Sequence, residues 1–231
     1  MIMRSIELFA GAGGLGIGLD RAGFHPAVVI EWDKYCCDTL RENKALGVQP
    51  VSDWDLYDGD VRTFDFGSVA APVEFISGGP PCQPFSLGGK HRGYSDGRDM
   101  FPQAVRSVRE LKPRAFLFEN VKGLTRSTFG GYFEYIRLQL TYPDLTARPE
   151  ETWIEHLARL ERYHTLGRPD GLHYQVVTRV LNAADYGVPQ RRERVFFVGF
   201  RSDLDVEWSF PEPTHSRDAL LWEQVRSQDY W

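Results

Sequence analysis

Short apolar runs rich in β-branched and aromatic residues alternate along most of the chain with segments of helical spacing. Several runs are too continuously apolar for a sheet with one face in water. The predicted strands are 4–10, 26–32, 73–79, 114–121, 174–181 and 194–200, and the predicted helices are 15–23, 33–44 and 99–111. This order predicts an α/β fold with a mostly parallel sheet flanked by helices.

Four polar or aromatic residues fall at or just past the ends of predicted strands. They are Phe9, Glu31, Cys82 and Glu119. Ligands of open α/β sheets bind beyond the carboxyl ends of the strands. We therefore expect these four residues to share one rim of the sheet.

Composition excludes several classes of protein. The formal charge of -5 argues against a protein that coats nucleic acid, although basic residues gather in 88–98, 120–126 and 189–194. Three cysteines and six scattered histidines form neither a disulfide framework nor a metal-ligand pattern, so we predict reduced thiols and no metal. No apolar run of about 18 residues occurs, which predicts a soluble, intracellular protein without a membrane segment.

A glycine loop follows the first predicted strand. Gly11, Gly13 and Gly16 match G-x-G-x-x-G, and Glu31 lies 20 residues after Gly11, where a carboxylate can bind ribose hydroxyls. The motif fits NAD as well as other nucleoside cofactors, and it also fits a purely structural turn. An aromatic face at Trp32 and an acceptor at Asp60 favour an adenosine-containing ligand.

The stretch SGGPPCQPFSLGG surrounds Cys82 with prolines and glycines. Pro80 and Pro81 fix the backbone and deny Cys82 a helix or an inner strand, so we expect an exposed thiol on a rigid bend. The alternative is a small buried hydrophobic residue, which is the usual fate of a lone cysteine.

Six blocks in order carry a family resemblance: FAGAGGLGIGLDRAGF, EWD, GDV, SGGPPCQPFS, FENVKGL and ADYGVPQRRERVFFVGF. Between about Ile6 and Phe200 the chain resembles the DNA (cytosine-5)-methyltransferases. The resemblance implies a Rossmann-like fold that binds S-adenosylmethionine and methylates C5 of a cytosine flipped out of double-stranded DNA. The implied cofactor pocket comprises Phe9, Gly11, Gly13, Gly14, Glu31, Trp32, Asp60, Val61 and Met100. The implied cytosine pocket comprises Cys82, Glu119, Arg192 and Arg194.

The implied reaction assigns a task to each residue of the cytosine pocket. A Cys82 thiolate, its pKa lowered by local positive charge or a helix N-terminus, adds to C6 and activates C5. Glu119, its pKa raised by burial, donates to or shares a proton with N3. Arg192 and Arg194 face the same side of an extended segment and hold O2 and Glu119. We further predict a mobile lid around Lys90, His91 and Arg92, with freedom supplied by Gly88, Gly89, Gly93 and Gly97.

The resemblance also sets the domain prediction. Residues 1–209 form the catalytic methyltransferase domain, with an inserted helical segment at about 129–171, and 210–231 begin a linker toward an absent target-recognition region. We expect a second polypeptide or a missing C-terminal part to complete a prokaryotic, cytoplasmic, nucleoid-associated enzyme of a restriction-modification system. Two alternatives stay open: a tRNA-directed cytosine-5 methyltransferase, and a non-catalytic subunit that binds cofactor or DNA.

Overall fold

The computed structural model describes residues 3–70, 72–82, 99–167 and 171–227. Seven strands in these ranges form one sheet of order β3-β2-β1-β4-β5-β7-β6. The strands are β1 (Met3–Leu8), β2 (Phe24–Glu31), β3 (Leu56–Asp58), β4 (Phe75–Gly78), β5 (Ala115–Val121), β6 (Tyr174–Asn182) and β7 (Glu193–Arg201). Within this described sheet, β7 alone runs in the direction opposite to the other six strands. The predicted mostly parallel α/β sheet is confirmed.

The described residues form six α-helices. They are α1 (Gly14–Arg21), α2 (Lys34–Ala45), α3 (Phe101–Leu111), α4 (Gly130–Thr141), α5 (Trp153–Leu166) and α6 (Arg217–Trp222). Neighbouring residues of β2 point to opposite faces of the sheet. Val28 and Ile30 belong to the large core that includes α3 and α4, whereas Val29 packs with Leu40 of α2 and Trp54. The sheet is therefore covered on both faces, as a parallel sheet requires.

The predicted insert contains two helices with different positions. α4 packs against β6 and β7 and so occupies the crossover between β5 and β6. α5 packs on α4 and begins with a capping box, in which the Thr152 hydroxyl accepts from the Glu155 N–H and the Glu155 carboxylate accepts from the Thr152 N–H. The helix predicted in this segment exists, and α5 with its flanking loops is the part that departs from the βα alternation.

The C-terminal tail is exposed along its helical part. Tyr186 donates its hydroxyl hydrogen to the Pro211 carbonyl, and the backbone N–H groups of Thr214 and His215 donate to the Asp185 carbonyl. Beyond these anchors, α6 and the π-helical turn Glu223–Ser227 leave apolar side chains in solvent, including Trp222.

Candidate active site

The glycine loop turns sharply between β1 and α1. Phe9 has a positive φ of 55°, and Gly13 caps α1 in the left-handed conformation with a φ of 87°. A side chain on Gly13 would also meet the Trp54 ring at 2.9 Å. Glycine at position 13 is therefore required by both backbone conformation and packing.

Gly16 is required by a close approach to β1. A Cβ at this position would lie 1.9 Å from an Oε2 atom of Glu7, whose side chain is buried beneath α1. Neither carboxyl oxygen of Glu7 completes a hydrogen bond within the described residues. Burial raises the pKa of Glu7 to about 8, and the backbone N–H of Gly16 offsets only part of this effect.

Glu31 ties the ends of β1 and β2 together. One carboxylate oxygen accepts from the Gly11 N–H at 2.7 Å. The other accepts from the N–H groups of Trp32 and Asp33 at 2.8 and 2.7 Å. Three donors hold the carboxylate at the rim, and an ionised carboxylate retains capacity for a further donor, such as a ribose hydroxyl.

A cavity of about 450 Å³ opens at this rim. Seven of the nine residues predicted for the cofactor pocket line it: Phe9, Gly11, Glu31, Trp32, Asp60, Val61 and Met100. Gly13 and Gly14 do not, because they form the start of α1 behind the turn. Sequence reasoning missed Ile30, Gly59, Gly79 and Pro81, although each adjoins or lies within a motif quoted for its neighbours.

Two cavity residues carry features that suit an adenosine. Trp32 is 63% exposed, so its ring is free to stack, and the Arg62 guanidinium lies 6.0 Å from the ring centre. Asp60 accepts from the Arg62 backbone N–H at 2.9 Å and from its guanidinium at 2.5 and 2.7 Å. The Asp60 carboxylate therefore already has one cationic partner, and an adenine amino group would be an additional donor.

The expectation of an exposed Cys82 with a lowered pKa is wrong for this arrangement. Cys82 is 8% exposed and belongs to the large hydrophobic core. Burial, together with the negative charge of Asp99, raises the pKa of the thiol above its ordinary value. Pro81 lines the cavity, so the cysteine is buried immediately beside the rim.

Glu119 meets both predicted arginines. One of its carboxylate oxygens lies 3.0 Å from Nε of Arg194 and 3.5 Å from a terminal guanidinium nitrogen of Arg192. The Glu119 side chain is 23% exposed, so it is less buried than its predicted role implied. The neighbouring Lys122–Glu193 pair, at 2.7 Å, joins the basic segments 120–126 and 189–194.

Gly79 connects this cluster to the cavity. It lines the cavity, and a Cβ built on it would lie 3.8 Å from an Oε2 atom of Glu119. Asn120, which sequence reasoning did not single out, donates its side-chain N–H to the Pro80 carbonyl at 2.8 Å. The proline-proline-cysteine segment is thus fixed to the end of β5.

The remaining predictions concern the lid, the cysteines, metal binding and membrane segments. Lys90, His91, Arg92 and the glycines of the predicted lid lie outside the described residues. Cys36 and Cys37 are free thiols, as is Cys82. The described ranges contain no cluster of three or more potential metal ligands, and none of their helices is long and apolar enough to span a membrane.

Comparison with known proteins decides the family. The family model described as C-5 cytosine-specific DNA methylase matches residues 3–142 and 161–227. The chain belongs to this DNA methylase family. The family match leaves out 143–160, which includes the start of α5. Membership confirms the predicted resemblance and identifies S-adenosylmethionine as the methyl donor.

Individual DNA methylases cover nearly all of this chain. The type II methyltransferase M.AquIA of Picosynechococcus is 40% identical over 93% of this chain and 78% of its own length. M.NgoMIV of Neisseria gonorrhoeae is 34% identical over the whole chain and 63% of its own length. A crystal structure described as an Escherichia coli prophage DNA modification methyltransferase superposes with a TM-score of 0.60 at 28% identity, covering 90% of this chain and 49% of its own. The chain thus spans about half to four fifths of these relatives.

Proposed function

We propose that this chain is the catalytic part of a DNA cytosine-5 methyltransferase, which transfers a methyl group from S-adenosylmethionine to C5 of a flipped cytosine. The observation that carries the proposal is the junction at Gly79 and Pro81. Both residues line the cofactor-sized cavity, and they lie between it and the Glu119 cluster on one side and Cys82 on the other. A methyl donor and a pyrimidine bound at this junction would meet.

In the proposed reaction the chain supplies the nucleophile and the polar contacts. The Cys82 thiol gives its proton to water, and its sulfur bonds to C6 of the cytosine as the C5–C6 double bond opens, which makes C5 nucleophilic. Glu119 donates to or shares a proton with N3 as charge develops there, while Arg192 and Arg194 hold Glu119 and face O2. S-adenosylmethionine, when bound, would supply the methyl group that C5 takes up and would leave as S-adenosylhomocysteine. Loss of the C5 proton to water then restores the ring and expels the thiolate.

Cys82 is buried in this arrangement and its pKa is raised, so the proposal requires the residue to move or its surroundings to change when DNA binds. C5 of the target cytosine is also inaccessible in a stacked duplex, so the whole base must be extruded. We propose that the assembled enzyme meets both requirements, the change at Cys82 and the extrusion of the cytosine. The exposed tail supports a missing target-recognition part, because Leu221, Trp222 and Val225 lie in solvent without apolar cover among the described residues. A second polypeptide or a C-terminal continuation would cover them.

We further propose that the protein acts in the cytoplasm of a prokaryote, at the nucleoid where its DNA substrate lies. The type II methyltransferases among its relatives support a restriction-modification system over a tRNA substrate.

A mechanism-based trap tests the function. The chain, supplied with a complementary recognition polypeptide and S-adenosylmethionine, is incubated with duplex DNA containing 5-fluorocytosine, whose C5 cannot lose a proton. We expect a covalent adduct that maps to Cys82 and is absent in Cys82→Ser, with cofactor affinity retained. Trapping only on 5-fluorocytosine RNA would favour the tRNA-directed enzyme. Cofactor binding without either adduct would favour the non-catalytic subunit.

A further inference from the structure

The backbone around Cys82 is held by the residues that precede α3. Cys82 and Asp99 form an isolated antiparallel bridge, and the Met100 N–H donates to the Pro81 carbonyl at 3.0 Å. Met100 also lines the cavity. The bridge therefore fixes Cys82 relative to the cofactor side of the site.

The side chain of Asp99 is fixed in turn by two donors. One oxygen accepts from the Phe101 N–H at 3.2 Å, and the other accepts from the Tyr132 hydroxyl of α4. Both Asp99 and Tyr132 are buried. A buried carboxylate with charge-assisted hydrogen bonds is a strong local constraint.

Tyr132 is supported by the helix that departs from the βα alternation. The Trp153 ring of α5 packs edge-to-face on the Tyr132 ring, with their centres 5.8 Å apart. A continuous series of contacts thus runs from Trp153 through Tyr132 and Asp99 to Cys82. This series gives α5 a role that its sequence did not reveal.

We propose that Asp99 and Tyr132 are positioning residues for Cys82, which hold it beside the cavity and restrain its thiol from reacting before a base is bound. The inference rests on the proposed function, because it treats Cys82 as the nucleophile. It adds two residues and a supporting helix to the machinery of that site.

The electrostatic surroundings of Cys82 also restrain its thiol from reacting. In the part of the chain that the structure describes, the titratable groups around Cys82 include Asp99 before α3 and Tyr132 on α4, and the charge of Glu119 on β5 is paired with Arg192 and Arg194. Burial and the Asp99 carboxylate both disfavour the thiolate and raise the thiol pKa. Removing the Asp99 charge should therefore increase the thiolate fraction at any pH below that pKa.

The test measures alkylation of Cys82 by iodoacetamide, resolved from the other cysteines by peptide mass mapping, across pH 7–9 in the full chain. Asp99→Asn removes the charge, and Tyr132→Phe removes only the hydroxyl that donates to Asp99. Tyr135→Phe is the matched control, because Tyr135 lies one turn along α4 and its hydroxyl contacts Nδ1 of His156. Cys37, which is fully buried, reports global unfolding within the same sample.

We expect Asp99→Asn to accelerate Cys82 alkylation on the order of tenfold for each pH unit by which the thiol pKa falls. Tyr132→Phe should accelerate it to a smaller extent, and Tyr135→Phe should leave it unchanged, with Cys37 protected throughout. Wild-type rates and pH profiles in both Asp99→Asn and Tyr132→Phe would overturn the proposal. If Asp99→Asn makes Cys37 reactive, that variant has lost its fold, and the alkylation rate of Cys82 in the isosteric Tyr132→Phe variant decides whether the proposal holds.

Adduct formation separates this inference from the proposed function. In the assembled enzyme, both variants should form the 5-fluorocytosine adduct more slowly than wild type although their free thiols react faster. Unfolding would also raise the reactivity of Cys37. Slower adduct formation together with faster alkylation of Cys82, while Cys37 stays protected, is therefore specific to lost positioning. If wild type forms no adduct while the alkylation pattern holds, the proposed function fails and the restraint on the thiol stands.

Discussion

Nε of Arg194 lies 3.0 Å from a carboxylate oxygen of Glu119, and this pair joins β7 to β5 at the rim of the sheet. Arg192 reaches the same oxygen at 3.5 Å. Two guanidinium groups thus converge on one carboxylate beside the cavity, which makes Glu119 the residue whose replacement should affect chemistry most directly after Cys82.

Glu119→Gln keeps the size of the side chain and removes its charge and its acid–base capacity. We expect single-turnover methyl transfer to fall by about 10²–10⁴-fold, the usual contribution of a positioned acid or base. Glu193→Gln is the matched control, since Glu193 pairs with Lys122 in a partly exposed bridge of small energetic value. A wild-type rate in Glu119→Gln would remove this residue from the mechanism.

Trp32→Ala should weaken binding of S-adenosylmethionine, measured by calorimetry. Loss of base–aromatic stacking costs about 1–3 kcal/mol, which corresponds to at least roughly a fivefold rise in Kd. Tyr35→Ala serves as the control, because Tyr35 is an exposed aromatic residue nearby that does not line the cavity. Equal effects of the two substitutions would contradict a specific role for Trp32.

Gly16→Ala and Gly18→Ala lie on the same helix and should have opposite effects on stability. A Cβ at Gly16 would clash with the buried Glu7 carboxyl, so we expect a loss of about 1–3 kcal/mol or more. A Cβ at Gly18 meets nothing within 4 Å, so alanine should stabilise the helix by about 0.5–1 kcal/mol. Urea unfolding measures both, and a Gly16→Ala protein as stable as wild type would show that the approach of α1 to β1 is less close.

Glu7 should make stability fall as pH rises. Its pKa is about 8 in the folded protein against 4.5 for the free side chain, so between these values the unfolded chain has released a proton that the folded chain keeps. The free energy of unfolding therefore decreases through this window, by at most about 1.4 kcal/mol for each pH unit. Below pH 4.5 Glu7 is protonated in both states and does not lower the free energy of unfolding. Above pH 8 it is ionised in both states, and its destabilising effect no longer changes with pH.

Glu7→Gln cannot ionise and should lose this part of the pH dependence. The measurement is urea unfolding of both proteins at pH 5 and pH 8. Because all other titrating groups are common to the two proteins, the difference between their slopes isolates Glu7. Parallel pH profiles would show that Glu7 titrates alike in the folded and unfolded states.

The sequence predicted the sheet well where long apolar runs specify strands. It missed β3, because Leu56–Asp58 is a three-residue strand inside an acidic segment. It also missed α4 as the crossover helix, since GGYFEYIRLQLT begins with glycines and is buried around most of its surface, so no amphipathic stripe marks it. Both failures concern elements whose conformation is set by tertiary packing.

The candidate site shows the same division. Glu31 was predicted from its spacing after the glycine loop, Asp60 from its position after an acidic loop and Met100 from the family resemblance, and all three line one cavity. The sequence could not predict that Cys82 is buried, because the residue that pairs with it, Asp99, lies in a separate segment of the chain. Contacts between distant segments leave no periodic signal in either segment.

The reversed direction of β7 separates two halves of the site. Because β7 runs opposite to β5, its first residues reach the rim, and the turn from β6 to β7 delivers Arg192 and Arg194 there. The loops after β1 and β2 line the cavity instead. Substitutions in 183–192 should therefore retune how a nucleobase is accommodated while leaving the affinity for the methyl donor intact, so the two specificities can evolve, or be engineered, independently.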